Sequence, residues 1–243
     1  MKQLFIPDEC FFGDYFTCTE SSYHHLFNVH RTRVKERLSI VTESKRYNVQ
    51  ITEISKTRIN INVESEKEII KTYPEYTLFQ ALPKQDKMTT IIDYTVQLGI
   101  SSICPVKTDR SEVKWDSKKE LKHQQRWIAK AESAAIQAKR DYQPNILPVC
   151  SLNQLHERID LDQFDMMVVP WEESVIVDSL SNDKNQDDLK KIGIFIGPEG
   201  GLSEKEILFL KDHGFSELSL GESILRVEIA AVVALAQLKF VYR

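Results

Sequence analysis

Apolar and polar positions alternate strictly over Tyr47-Asn48-Val49-Gln50-Ile51-Thr52-Glu53-Ile54, the pattern of a strand with one face buried and one in water. Leu38 to Thr42 precedes it across the polar turn Glu43-Ser44-Lys45-Arg46, and Arg58 to Glu64 repeats the alternation after Ser55-Lys56-Thr57. Three such runs with short turns predict a small antiparallel barrel or meander. A charged, solvated segment from Glu64 to Lys71 follows, then Pro74. The domain boundary is placed there, giving an N-terminal domain over 1–72 and a second over 73–243.

Beyond Pro74 the period changes. Tyr76 to Leu82 predicts a strand, and Lys87 to Gln97 a helix with Met88, Ile91, Ile92, Thr95 and Val96 on one face, ended by Gly99. Ile100 to Val106 reads as a strand, Lys118 to Arg140 as a long helix, and Phe164 to Val169 and Ile192 to Ile196 as further strands. Near-continuous apolar strands alternating with helices imply a parallel α/β sheet covered on both faces. Ser179 to Lys191 is polar without periodicity and is expected to be a surface loop; no repeat of solenoid period is present.

With 243 residues, 42% of them hydrophobic, the chain can bury one small and one larger core. No run of about eighteen apolar residues occurs and the opening MKQLFIPDEC lacks the form of a signal peptide, so a cytoplasmic protein without a membrane partner is expected. Cysteines 10, 18, 104 and 150 form no C-x-x-C pair and have no His at ligand spacing, which suggests neither a zinc site nor a disulfide framework. A net charge of −4 argues against a nucleic-acid partner at face value. Clustering of Lys and Arg decides that question, however, not the total.

Two segments carry chemistry. Ile196-Gly197-Pro198-Glu199-Gly200-Gly201-Leu202-Ser203-Glu204-Lys205-Glu206 leaves an apolar strand and enters a helix, with Ser203 as N-cap and Glu206 as its capping-box partner. Glycines at the carboxyl end of a parallel strand let a ligand approach the backbone; they also suit a plain strand-to-helix turn. Neither G-x-x-x-x-G-K-[ST] nor G-x-G-x-x-G is present, and Glu199 would repel phosphate, so a neutral or cationic ligand fits better. The second segment, Leu218 to Ala231, passes through Gly221 into a very apolar helix, Val227 to Tyr242. That helix requires a second apolar cover, either another copy of the chain or the ordinary core.

Together these segments resemble the SPOUT methyltransferases and, within them, the RsmE family, which methylates N3 of a uridine in small-subunit (16S) ribosomal RNA. The family's G-P-E-G-G-x-[ST]-x-x-E pattern stands here as Gly197 to Glu206, and L-G-x-x-I-L-R-x-E-T-A as Leu220 to Ala230. Gln80 to Met88 is similar to its Q-A-L-P-K-G-x-K-M stretch, and His25 to Arg31 to its H-x-x-V-L-R entry, so the likeness spans nearly the whole chain. It implies an α/β C-terminal SPOUT domain with a trefoil knot and a small N-terminal PUA-like β-barrel for RNA. It also implies a homodimer, S-adenosyl-L-methionine as cofactor, and 16S RNA as substrate, within the small subunit or its precursor. By the same likeness Pro170, Trp171, Glu172, Ile196, Gly197, Gly200, Leu220, Gly221, Ile224 and Leu225 bind the cofactor, and no metal is required. The chain departs from the pattern at Ile229 for Thr, at Ala138-Lys139 for Ser-Gly, at Gln97 for Glu and at Gln85 for Gly.

For such a reaction Arg226 is the candidate to hold the uracil carbonyl or a flanking phosphate, and Glu228 to orient Arg226. No residue of the sequence identifies the base. His30, Arg31, Arg33 and Arg37, with Lys84, Arg110 and Arg140, are the candidate phosphate contacts. Three rival readings remain: another SPOUT activity on tRNA or a ribose, a non-catalytic RNA-binding protein, and a nucleotide hydrolase. The last lacks the Lys and hydroxyl its chemistry needs.

Overall fold

Because strands with one buried face need a partner layer and doubly buried strands need helices on both sides, the two halves of the sequence fold differently. The computed structural model describes residues 2–18, 32–111, 117–171 and 189–242. His30, Arg31 and Glu172, the stretch 25–31, and residues 179–188 of the expected loop lie outside them. The chain forms two compact units, Met1–Lys71 with Lys139–Gln143, and Thr72–Ala138 with Pro144–Arg243.

The first unit is a five-stranded sheet of β1 (Lys2–Phe5), β2 (Tyr15–Thr17), β3 (Arg37–Val41), β4 (Lys45–Ile54) and β5 (Arg58–Glu68), in the order β1-β3-β4-β5-β2. The alternation in the sequence is realised: Val49, Ile51, Ile59 and Ile61 point inward onto Phe16, Leu38 and Ile40. The pairing is not wholly antiparallel, since β1 joins β3 in parallel. The charged segment after Glu64 does not leave the sheet either. It continues β5 to Glu68, where cross-strand charges pair, Lys45 Nζ lying 2.7 Å from Glu66 Oε1.

The expected helix to Arg140 stops at Gln137, and residues 139–143 join the first unit. Arg46 explains this. Its guanidinium donates to the carbonyls of Lys139 and Arg140 and to the Asp141 carboxylate, a fork that no propensity within the helix can match.

In the second unit β6 (Glu75–Ala81), β7 (Ser102–Lys107), β8 (Asn145–Ile146), β9 (Cys150–Ser151), β10 (Met166–Pro170), β11 (Lys191–Ile196) and β12 (Phe215–Leu218) pair only in parallel. The order is β12-β10-β11-β6-β7-β8, with β9 also on β7. Helices α1 (Lys87–Gln97), α2 (Ser117–Gln137), α3 (Leu155–Arg158), α4 (Glu204–Asp212) and α5 (Val227–Val241) complete it. Helix α1 buries the face read from its spacing, Met88, Ile91, Ile92, Thr95 and Val96, and packs against α2 and α5. Lys239 of α5 donates to the Leu98 carbonyl, satisfying the end of α1 beside Gly99 at φ +95°. Phe79, Phe195 and Phe215 meet edge to face in the core. Since all strands run the same way, the segments leaving β6, β10, β11 and β12 emerge at one edge of the sheet, the place where parallel sheets bind ligands.

Candidate active site

A cavity of about 560 Å³ opens at that edge. Its walls include Pro170 and Trp171 after β10, Ile196, Gly197 and Gly200 after β11, and Leu220, Gly221, Ile224, Leu225 and Arg226 after β12. The sequence-derived cofactor residues that fall among the described ones are therefore brought together. Lys87, Arg110 and Glu199 line it as well.

The wall formed by residues 197–203 is held by its own chain. Ser203 caps α4 by accepting from the Glu206 N–H, and Glu206 returns a carboxylate oxygen to the Ser203 N–H at 2.8 Å. The second Glu206 oxygen takes the Asp109 N–H at 2.8 Å, so this buried carboxylate fastens two loops. Arg110 Nη1 donates to the carbonyls of Gly200 and Leu202. A Cβ on Gly200 would stand 3.2 Å from Arg110 Cβ, and one on Gly197 3.1 Å from Leu202 Cγ, which explains why the close packing takes glycine. The Glu199 carboxylate accepts the Lys84 N–H and an ammonium proton of Lys87, whose Nζ is 3.0 Å from Oε1. Burial alone would push the Glu199 carboxyl up; the bonds from Lys87 and from backbone N–H groups outweigh it and hold the group below its ordinary range. The same hydrogen bond holds the Lys87 ammonium above its ordinary range.

The facing wall, residues 219–226, is made differently. Gly221 sits at φ +110°, in the left-handed region, and its N–H reaches only the Ser219 hydroxyl, at 3.3 Å. Among the described residues the N–H groups of Glu222, Ser223, Ile224 and Leu225 donate no hydrogen bond. Ile224 is 78% exposed, unusual for a large aliphatic side chain on a cavity wall. Arg226 is the N-cap of α5; its carbonyl accepts from Ile229 and Ala230, while its exposed guanidinium meets no partner among the described residues.

Glu228 stands behind the lining rather than on it. No contact joins it to Arg226 among the described residues; its charged neighbour is Lys87, 3.6 Å from Oε2, and that oxygen is buried without a hydrogen bond. Lys87 is the site residue the sequence reading passed over. Its place at the first position of α1 and its nearness to two carboxylates distant in sequence give no local signal.

The candidate RNA contacts differ in how far they are engaged within each unit. Arg33 and Lys84 are exposed, and Arg37 is half-engaged, its Nε bound to both oxygens of Glu64. Arg110 is committed to the 200–202 carbonyls. Arg140 is a correction: it is 8% exposed, with its guanidinium 4.0 Å over the Tyr142 ring and its carbonyl taken by Gln3 and Arg46. A cation so enclosed packs the first unit and does not offer itself to a phosphate. Two residues standing where the resembling family has glycine, Gln85 and Lys139, keep a left-handed backbone, at φ 53° and 52°. No cluster of His, Cys, Asp and Glu able to hold a metal occurs among the described residues, and no described helix is long and apolar enough to cross a membrane.

A parallel sheet whose carboxyl edge carries a glycine-cradled wall opposite a wall of open backbone donors belongs to the class of RNA methyltransferases: the family model for the RNA methyltransferase domain matches residues 71–239. The chain is 31% identical to ribosomal RNA small subunit methyltransferase E of Bacillus subtilis over 241 residues, covering 93% of this chain and 90% of the relative. It is 28% identical to ribosomal RNA small subunit methyltransferase E 2 of Borreliella burgdorferi, with 98% and 97% covered. The chain belongs to the ribosomal RNA small subunit methyltransferase E family. A Legionella pneumophila protein solved in complex with its bound cofactor SAM superposes with a TM-score of 0.84 at 25% identity, covering 98% of this chain and 96% of that one.

Proposed function

We propose that the protein transfers a methyl group from S-adenosylmethionine to N3 of a uridine in 16S ribosomal RNA. The observation that carries this reading is the unfinished wall at residues 219–226. Four consecutive N–H groups without acceptors among the described residues and an exposed Ile224 suit a ligand with a flat apolar face and acceptor atoms on its rim, as adenine has. The cavity volume accommodates a nucleoside with an amino-acid arm. Gly197, Gly200, Gly221, Leu220, Ile224 and Leu225, with Ile196, Pro170 and Trp171, and Glu172 outside the described residues, would hold the cofactor.

When bound, S-adenosylmethionine supplies an electrophilic methyl group on a good leaving group. The chain's residues position and stabilise. Arg226, exposed at the cavity lip and without a partner among the described residues, holds a uracil carbonyl or a flanking phosphate through its planar fork. Glu199 and Arg110, themselves on the lining, brace the 197–203 wall through Lys84, Lys87 and the Gly200 and Leu202 carbonyls.

The remaining parts of the reading rest on narrower observations. The first unit serves as a PUA-like RNA-binding module, with Arg33 and Arg37, and His30 and Arg31 beside them in sequence, as its phosphate contacts. Residues 219–226 pass through a trefoil knot, consistent with β12 lying outside β10 while α5 returns onto β11. The protein is a homodimer through α5, whose exposed stripe includes Ile229 and Phe240, 42% and 72% exposed. It acts in the cytoplasm on the small subunit or its precursor.

Labelled S-adenosylmethionine with protein-free 16S RNA and with small subunits, followed by mapping of the modified nucleoside, tests the reading. One N3-methyluridine is expected. Label on a ribose or in tRNA alone would replace it with another activity of the class.

A further inference from the structure

Lys87 has no role in what precedes, yet it occupies a singular place. Three cations line the cavity, Lys87, Arg110 and Arg226. Arg110 is spent on the Gly200 and Leu202 carbonyls, and Arg226 is exposed at the lip. Lys87 is half-buried and anchored from two sides, by Glu199 at 3.0 Å and by Glu228 at 3.6 Å. The carboxylates around it make poor bases. Glu199 already accepts from Lys84 and Lys87, and Glu228 lies off the lining. Among the described residues the remaining carboxylate of the lining, Glu222, is exposed on the opposite wall, so the proton of a ring nitrogen is left to water. What the wall offers instead is a fixed positive charge.

We propose that Lys87 is a catalytic residue whose ammonium, fixed by Glu199 and Glu228, contacts the uracil ring and stabilises the negative charge that the ring acquires when N3 loses its proton. The proposal rests on the uridine methylation reading above. In this step the N3–H bond breaks and the proton goes to water, leaving its electron pair on the ring, shared by N3 and the two carbonyl oxygens. N3 then bonds to the methyl carbon, and the carbon–sulfur pair goes to sulfur, which ends as a neutral thioether. An ammonium has three donors; Glu199 takes one, and even with one directed toward Glu228 a third is left for a uracil oxygen. Fixing the charge beforehand matters because a cation already in position costs no reorganisation when the anion forms.

Among the described residues the charged groups paired with Lys87 are Glu199 from the loop after β11 and Glu228 from α5, with Arg110, Glu222 and Arg226 on the same lining. Its neighbour Asp86 is turned away, in a two-bonded pair with Arg126 of α2. Among the described residues no acidic group other than the two anchors pairs with the ammonium.

The test uses the full chain, saturating S-adenosylmethionine and small-subunit RNA in single-turnover methyl transfer, from neutral to alkaline pH, with Lys87→Met and Lys87→Arg. Losing one such charge contact is expected to slow transfer at neutral pH by about a hundredfold in Lys87→Met. Cofactor affinity, measured by calorimetry, should stay within a few-fold. The deficit should shrink as pH rises, because the ring then ionises without help, and Lys87→Arg should recover part of the rate. A Lys87→Met protein that loses rate and cofactor affinity together, with the pH profile unchanged and no recovery in Lys87→Arg, would show that Lys87 only props the Glu199 loop, and the proposal falls. Undiminished transfer in Lys87→Met would also overturn it. If wild-type protein methylates RNA elsewhere than N3 of uridine, the reading beneath the proposal fails, which the nucleoside map distinguishes from failure of Lys87 alone.

Discussion

The two walls of the cavity are built on opposite plans. Residues 197–203 are closed on themselves by the Ser203–Glu206 capping box, by the Glu206 bond to Asp109 and by Arg110, so that side the folding reaction completes. Residues 219–226 carry four N–H groups without acceptors among the described residues and an exposed Ile224, so that side is left open for a ligand. The difference teaches that a binding site need not be preorganised throughout. One wall supplies the shape, and the other keeps open the donors and apolar surface that a ligand must satisfy.

If so, damage to the first wall should appear as lost stability and damage to the second as lost binding or rate. Glu206→Ala strands the Ser203 and Asp109 N–H groups and removes the side-chain half of the capping box, and should cost about 2–4 kcal/mol in urea unfolding. A loss below a few tenths would mean that the first wall is not self-supporting. Arg226→Ala should leave cofactor affinity nearly unchanged and slow methyl transfer at least tenfold, about 1.4 kcal/mol of transition-state stabilisation; undiminished turnover would remove Arg226 from the mechanism. Ile224→Ala should change stability by less than about 0.5 kcal/mol. The same variant should weaken S-adenosylmethionine binding by about 1 kcal/mol, from the lost apolar cover, as read by calorimetry.

A pH dependence separates the walls as well. The Glu199 carboxyl is held below its ordinary value of 4.5, so its contribution to stability is present above that pH and is lost as pH falls through the lower folded value. Glu199→Gln should flatten this acid limb of the stability curve, whereas substitutions at 222–225 should leave it alone. An effect of opposite sign is expected at Gln85→Gly. Relieving a left-handed backbone at φ 53° should raise stability by roughly 1 kcal/mol without altering cofactor affinity.

Much of this was legible in the sequence, for physical reasons that differ by element. The buried face of α1 and the Ser203–Glu206 cap depend on residues three or four apart, and local spacing reports them directly. The parallel sheet followed from continuous apolar runs such as Ile192 to Ile196. The missed features all join distant segments. Arg46 gathers residues 139–141, nearly a hundred positions away, and thereby ends α2 early and buries Arg140. Lys87 meets Glu199 and Glu228 only once three segments converge at the sheet edge. Strand β1 was overlooked because four residues with no regular alternation give no signal until β3 is beside them.

Amide hydrogen exchange with and without S-adenosylmethionine tests the two-wall account most directly. Without cofactor the N–H groups of residues 222–225 should exchange fast, while those of Gly201 and Ile207, already bonded to the Pro198 and Ser203 carbonyls, should exchange slowly. Cofactor should slow the first group at least about tenfold and leave the second nearly unchanged. Slow exchange at 222–225 in the free protein, or protection confined to the 197–203 wall on binding, would contradict it.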